Sequence, residues 1–151
     1  MYYNDSSVCE HERRNAVRMG FRFEFDRVHK VLVSRFEGRL TDESMAEFYE
    51  AVRKYSTATD ASAGIADFSS VTEFALASEF IRHQLADWEP AMPNAAKRPR
   101  FIVAPATVGY GLFRMFQIVG SDTRPLLQVV HTIDEALAAP DIQSPHFEPL
   151  A

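Results

Sequence analysis

The side chains whose types suit chemistry are the hydroxyls of Ser69 and Ser70, the carboxyl of Asp67, the imidazoles of His83 and His131, and Arg114 behind the run Gly109-Tyr110-Gly111. Serine with histidine suggests nucleophilic catalysis. No Gly-x-Ser-x-Gly elbow is present, however, and no spacing brings either histidine to Ser69 or Ser70. Local hydrogen bonding and helix capping account for these hydroxyls. His83 is read as facing solvent, and His131, at a strand end, as partly buried and neutral. The glycines before a helix suggest anion binding, because free backbone amides at a helix N-terminus attract negative charge, and Arg114 would add a cation. Neither the Gly-Lys-Ser/Thr of a Walker loop nor the third glycine of a dinucleotide fingerprint follows. Close helix–strand packing is therefore the favoured reading of Gly109 and Gly111. Asp67 is read as bonding the amides of the turn after it, with a site carboxylate as the alternative. His11, between Glu10 and Glu12, has no second His or Cys at ligand spacing, so no metal is expected. No carboxylate pair has diagnostic spacing, and the expectation is a non-enzymatic protein without a cofactor.

Composition sets the frame for these residues. A chain of 151 residues, 46% hydrophobic with 12 Phe, fits one globular domain with an ample core. The net charge of −5 argues against a nucleic-acid partner, which needs a basic face. The single cysteine, Cys9, makes no internal disulfide. The first residues lack the basic flank and apolar run of a signal peptide. No apolar run approaches the ~20 residues of a membrane-spanning helix. A cytoplasmic protein without stable membrane insertion is expected.

The elements that must position the site follow from periodicity. Residues 1–19 show no period and read as a polar leader. Phe21-Arg22-Phe23-Glu24-Phe25 alternates strictly, and with a strand near 30–37 it predicts an antiparallel hairpin. Thr41 caps a helix whose apolar face is Met45, Phe48, Tyr49, Val52 and Tyr55. A short buried strand, 64–68, then breaks into a Ser/Thr-rich loop. That loop delivers the chain to a second helix, capped by Ser78, with a stripe of Ile81, Leu85 and Trp88. The basic connector 95–100 reads as solvated. A strand at 101–104 precedes a third helix with a face of Leu112, Met115, Phe116 and Val119, ended by Gly120. A last strand, 126–131, and a capping box from Thr132 to Glu135 complete the domain. The organisation is a leader 1–19, a domain 20–139 and a Pro-containing tail 140–151. The fold class is α/β: a mixed, mostly parallel five-stranded sheet with an N-terminal antiparallel hairpin and about four helices.

This element order, with Asp67-Phe68-Ser69-Ser70-Val71-Thr72 at the third strand, resembles the STAS superfamily of sulfate-transporter and anti-sigma-factor-antagonist domains, in its SpoIIAA-like branch. The resemblance spans about Phe21 to Ala139. Regulatory members of that family continue into an Asp-Ser-Ser-Gly signature whose serine a partner kinase phosphorylates. Here the matching run is Ala75-Leu76-Ala77-Ser78, so the aspartate is replaced by Ala75 and the phosphorylated serine by Leu76. The resemblance therefore implies a regulatory or protein-interaction module without the usual phosphoserine switch, with an unknown protein partner or a homodimer. The alternative is a carrier for a small apolar molecule or lipid, with Phe48, Tyr49, Phe113 and Phe116 around a pocket. A site of either kind is expected where the loops after the third and fourth strands converge: Ser69, Ser70, Phe74, Leu76 and Ser78 with Gly109, Tyr110, Gly111 and Arg114. Because Ser78 precedes Glu79 at a helix start, Ser78→Ala should cost about 1 kcal/mol in a denaturant titration. Stoichiometric phosphorylation of Ser78 in cells that changes partner binding would overturn the capping role.

Overall fold

The computed structural model describes residues 20–77, 79, 98–105, 107–119 and 126–150. The predicted leader, the cap at Ser78, the stripe of Ile81, Leu85 and Trp88, His83 and the helix end at Gly120 all lie outside the described residues.

The strands are β1 (Gly20–Asp26), β2 (Val31–Thr41), β3 (Ala63–Ala75), β4 (Arg100–Val103), β5 (Leu127–Val130) and β6 (Glu148–Pro149). Among the described residues there are three helices: α1 (Asp42–Ala58), α2 (Thr107–Val119) and α3 (Ile133–Ala138). All six strands join one sheet in the order β5-β4-β3-β2-β1-β6. β2, β3, β4 and β5 are parallel, β1 is antiparallel to β2, and β6 is antiparallel to β1. The α/β class and the hairpin agree with the sequence reading. The sheet has a sixth strand, β6, formed within the segment that its prolines mark as an irregular tail.

Alternation along the strands sorts side chains into two cores. Phe23, Leu32, Phe36 and Leu40 face α1 and α2, where Met45, Phe48, Phe113 and Phe116 meet them. Val31, Val33, Ile65, Phe101 and Val103 face the other way and are covered by Ala136 of α3 and, more peripherally, by Ile142 and Phe147. α1 begins at the predicted cap, where the Thr41 hydroxyl accepts the Ser44 N–H at 3.2 Å. At α3 the Thr132 hydroxyl accepts the Glu135 N–H, and the Glu135 carboxylate returns to the His131 N–H. Arg100, predicted in a solvated connector, is the half-buried first residue of β4.

One carboxylate ties the hairpin to the C-terminal segment. Asp26 is 1% exposed. Its Oδ1 accepts the N–H groups of Val28 at 2.9 Å and His29 at 3.0 Å. Its Oδ2 accepts the His29 ring Nδ1–H at 2.9 Å and the His146 N–H at 3.0 Å. Burial acts to raise the pKa, but bonds from the His29 backbone and ring, His146 and Val28 outweigh it and lower the value from 3.8 to about 2. A depressed carboxylate stabilises the fold above its unfolded pKa, and that contribution is lost as pH falls from about 4 through about 2. It amounts to roughly 2–3 kcal/mol. Asp26→Asn should flatten the acid side of the stability profile in denaturant titrations between about pH 4 and 2. An unchanged acid slope in that variant would show that Asp26 is not the responsible group.

Candidate functional site

The site region is built on β3, which does not end at Phe68 as the sequence predicts but continues to Ala75. The Cα register passes from Arg35↔Asp67 to Glu37↔Ser70, and again from Gly38↔Val71 to Arg39↔Glu73. At each step β3 carries one residue more than β2. An inserted residue reverses the face taken by the side chains after it. Phe68, Val71 and Phe74 thus share the core face at a spacing of three, opposite Phe36, Gly38 and Leu40. Gly38, at the second irregularity, has φ 86°, a conformation that side-chain-bearing residues seldom adopt.

Asp67 holds the first bulge. Its Oδ1 accepts the Ser69 N–H at 3.0 Å and the Ser69 hydroxyl at 2.5 Å. Its Oδ2 accepts from the Arg35 guanidinium at 2.9 Å. The predicted bonding to following amides is therefore present, within a bulged strand rather than a turn. Arg35 donates a second bond to Glu24 at 2.7 Å, and its guanidinium lies 5.8 Å from the centre of the Phe147 ring. Sequence reasoning missed this Glu24–Arg35–Asp67 group. Its signal was present: Arg35 shares parity with the core-facing Val31 and Val33, so a charge at that position needs partners.

The expected convergence of the third- and fourth-strand segments divides into two parts. Phe74 and Gly109 meet directly, since a Cβ on Gly109 would lie 2.5 Å from the tip of the Phe74 ring. The ring also packs edge-on against Phe113, with centroids 6.1 Å apart. Leu76 packs against the same core. Ser69 and Ser70 are exposed on β3. Tyr110 and Arg114 turn instead toward β5. The Tyr110 ring stacks on His131 at 4.0 Å, and His131 is exposed rather than partly buried as predicted. Arg114 is exposed and donates to Gln117 at 2.7 Å, while Gln117 bonds the Leu127 carbonyl at 2.9 Å.

Two sequence expectations about α2 change. Its core face is Gly109, Phe113 and Phe116, with Leu112 and Met115 only half-buried at its flank. Gly111 is the fifth residue of the helix, beyond the free amides of the first turn, so the two glycines do not form a continuous donor cradle. Close packing explains Gly109. It does not explain Gly111, which is exposed with no atom within 4 Å of a Cβ placed there.

Residues including Met45, Phe48, Tyr49, Phe68, Phe113 and Phe116 line an apolar cavity of about 120 Å³ between the helices and the sheet. A depression bounded by Phe25, Arg27, Asp60 and Leu150 is open to solvent beside β6. Among the described residues no group of three or more His, Cys, Asp or Glu is placed to hold a metal ion. None of the described helices is long and apolar enough to cross a membrane.

The fold is that of the anti-sigma factor antagonists. The chain matches the anti-sigma factor antagonist SpoIIAA in its unphosphorylated form with a TM-score of 0.57 and 14% identity, covering 83% of this chain and all of that one (100%). An anti-sigma factor antagonist from Mycobacterium paratuberculosis matches with a TM-score of 0.51 and 22% identity, over 82% of this chain and 95% of that one. The Bacillus cell fate determinant SpoIIAA in its phosphorylated form matches with a TM-score of 0.50 and 17% identity, over 80% and 98%. No protein-family model matches the sequence, and no curated protein does.

The contrast between the two glycines gives a paired test. Gly109→Ala should cost about 1–3 kcal/mol, because the Phe74 ring is held by Phe68 and Phe113 and has little room to yield. Adding Phe74→Ala should make the pair markedly less costly than the sum of the single changes. Gly111→Ala should instead stabilise by about 0.5–1 kcal/mol through helix propensity. Thermal and denaturant unfolding of the four variants reads all three effects, and equal costs at both glycines would refute the packing argument.

Proposed function

We propose that this chain is a non-enzymatic, cytoplasmic regulatory module that binds a protein partner, in the manner of the anti-sigma factor antagonists whose fold it shares. The observation that carries the reading is the long β3. Past the level of Val103, where β4 ends, β3 continues beside β2 and presents Ser69, Ser70, Thr72 and Glu73 to solvent. Behind them the Phe68, Phe74 and Phe113 rings form a rigid support. An exposed polar strip backed by packed rings suits a protein surface better than a small molecule.

The module works without a phosphoserine switch at the family position. Leu76 stands there with no hydroxyl, half-buried against the core. The carrier alternative is supported less well, since an apolar space of about 120 Å³ falls short of the roughly 300 Å³ at which drug-sized ligand pockets begin.

Ser70→Arg and Glu73→Arg change the exposed strip without touching the core. Each should abolish capture of a specific partner by tagged protein, quantified against the unaltered chain, with the melting temperature moved by no more than about 2 °C. Unaltered capture by both folded variants would sink the reading. A lipid or small molecule bound one-to-one in native mass spectra would favour the carrier instead.

A further inference from the structure

The outer edge of β1 is complementary to itself, and the chain covers it with its own C-terminal segment. The Leu150 N–H donates to the Phe23 carbonyl at 2.8 Å, so the backbone groups of Phe23 point away from β2. Backbone groups alternate sides along a strand, so those of Phe21 and Phe25 point outward as well. β6 blocks this edge with two paired residues, Glu148 opposite Phe25 and Pro149 opposite Glu24. By the same alternation the ring nitrogen of Pro149 faces outward. The sheet therefore ends in a position that has no N–H to offer a further strand.

Several separate anchors hold the segment down. The His146 N–H bonds Asp26, Glu148 pairs with Arg27 at 3.3 Å, and Leu150 packs against the first core. The approach to it carries Asp141 and Ser144 at φ 55° and 51°, unfavourable conformations for residues other than glycine. Strain of this kind persists only where the surroundings impose it.

We propose that the covered edge of β1 is a homodimerisation surface: with the C-terminal segment lifted, β1 pairs antiparallel with β1 of a second copy, centred on Phe23. In that register Phe23 faces Phe23 and Phe21 faces Phe25 of the second copy as hydrogen-bonded pairs, which are the residues whose backbone groups already point outward. Arg22 and Glu24 then become directly opposed, twice, in the non-hydrogen-bonded pairs where side chains come closest. The neighbouring registers in the same phase lack this match. A shift one way opposes Arg22 to Arg22, and a shift the other way opposes Glu24 to Glu24. Charge pairing and backbone phase thus select a single two-fold arrangement. The phenylalanines of both copies lie on one face and extend the aromatic core across the junction.

The test is the oligomeric state of the full chain, measured by sedimentation equilibrium over a concentration series. The unaltered chain should be monomeric. The double variant Glu148→Lys, Leu150→Pro removes the Arg27 pair and the donor to Phe23, and should dimerise while keeping its circular dichroism spectrum. Adding Arg22→Glu sets like charges opposite each other twice and should weaken that dimer about tenfold or more. A folded double variant that stays monomeric overturns the proposal, as does a dimer indifferent to Arg22→Glu. An unaltered chain that dimerises as tightly as the released one overturns the masking role. Should the double variant not fold, Leu150→Pro alone, which removes a single N–H, is read by the same outcomes.

Discussion

A strand of thirteen residues lies beside one of eleven, and the two extra residues of β3 set what can pack on the sheet around them. Without the bulges, a period of two would carry Phe68 and Phe74 to the core face but leave Val71 pointing to the other side. With them, all three face inward. Phe68 stacks on Phe36 with ring centres 4.3 Å apart and planes 8° from parallel, and Phe36 in turn meets Phe48 of α1 at 4.7 Å. On the other side Phe68 meets Phe113 of α2 at 4.5 Å. One row of rings thus couples both helices to the bulged strand, and the Phe74–Gly109 contact closes it.

The bonds that shape the first bulge reach the opposite face of the sheet. Asp67 bends the backbone through Ser69 and is itself held by Arg35, which Glu24 and Phe147 flank. Arg35 and Asp67 are mostly buried, at 26% and 10% side-chain exposure, so removing Arg35 would leave the Asp67 carboxylate without its cation, whereas removing Asp67 leaves Arg35 on Glu24. A polar group on one face thereby supports the register that aligns an aromatic row on the other.

The parts of this architecture that could be read from sequence were those with an undisturbed period. β1 alternates strictly, α1 repeats its apolar residues at three and four, and Thr41 and Thr132 announce their helices. β3 could not be read in full, because two bulges replaced a period of two with a spacing of three, and Ser69-Ser70 with Thr72 then imitates a loop. β6 is two residues long and contains a proline, leaving no period to detect. The face of α2, read as Leu112, Met115, Phe116 and Val119, keeps Phe116 in the core and Leu112 and Met115 at its flank. It is turned toward Phe113 and Gly109, and a glycine carries no side chain to count. Of the candidate site, the approach of the segment after Phe68 to the start of α2 was legible, though not the particular contact of Phe74 with Gly109. The turning of Tyr110 and Arg114 toward β5 was not, because it depends on partners, His131 and Gln117, whose positions only the folded chain sets.

The bond from the His146 N–H to Asp26 joins residues 120 apart in sequence. Closing so long a loop costs only a little more entropy than closing one half its length, so the separation matters less for stability than for timing. On the ribosome the chain emerges from its N-terminus, and the β1–β2 hairpin is complete long before residue 146 exists. Until then, among the described residues, the Asp26 carboxylate has only Val28 and His29 as partners, and the side of β1 away from β2 has no strand paired to it. The molecule is thus most open to wrong association in the interval between making its first strand and making its last, and the rate of elongation over all the chain between β2 and β6 sets how long that interval lasts.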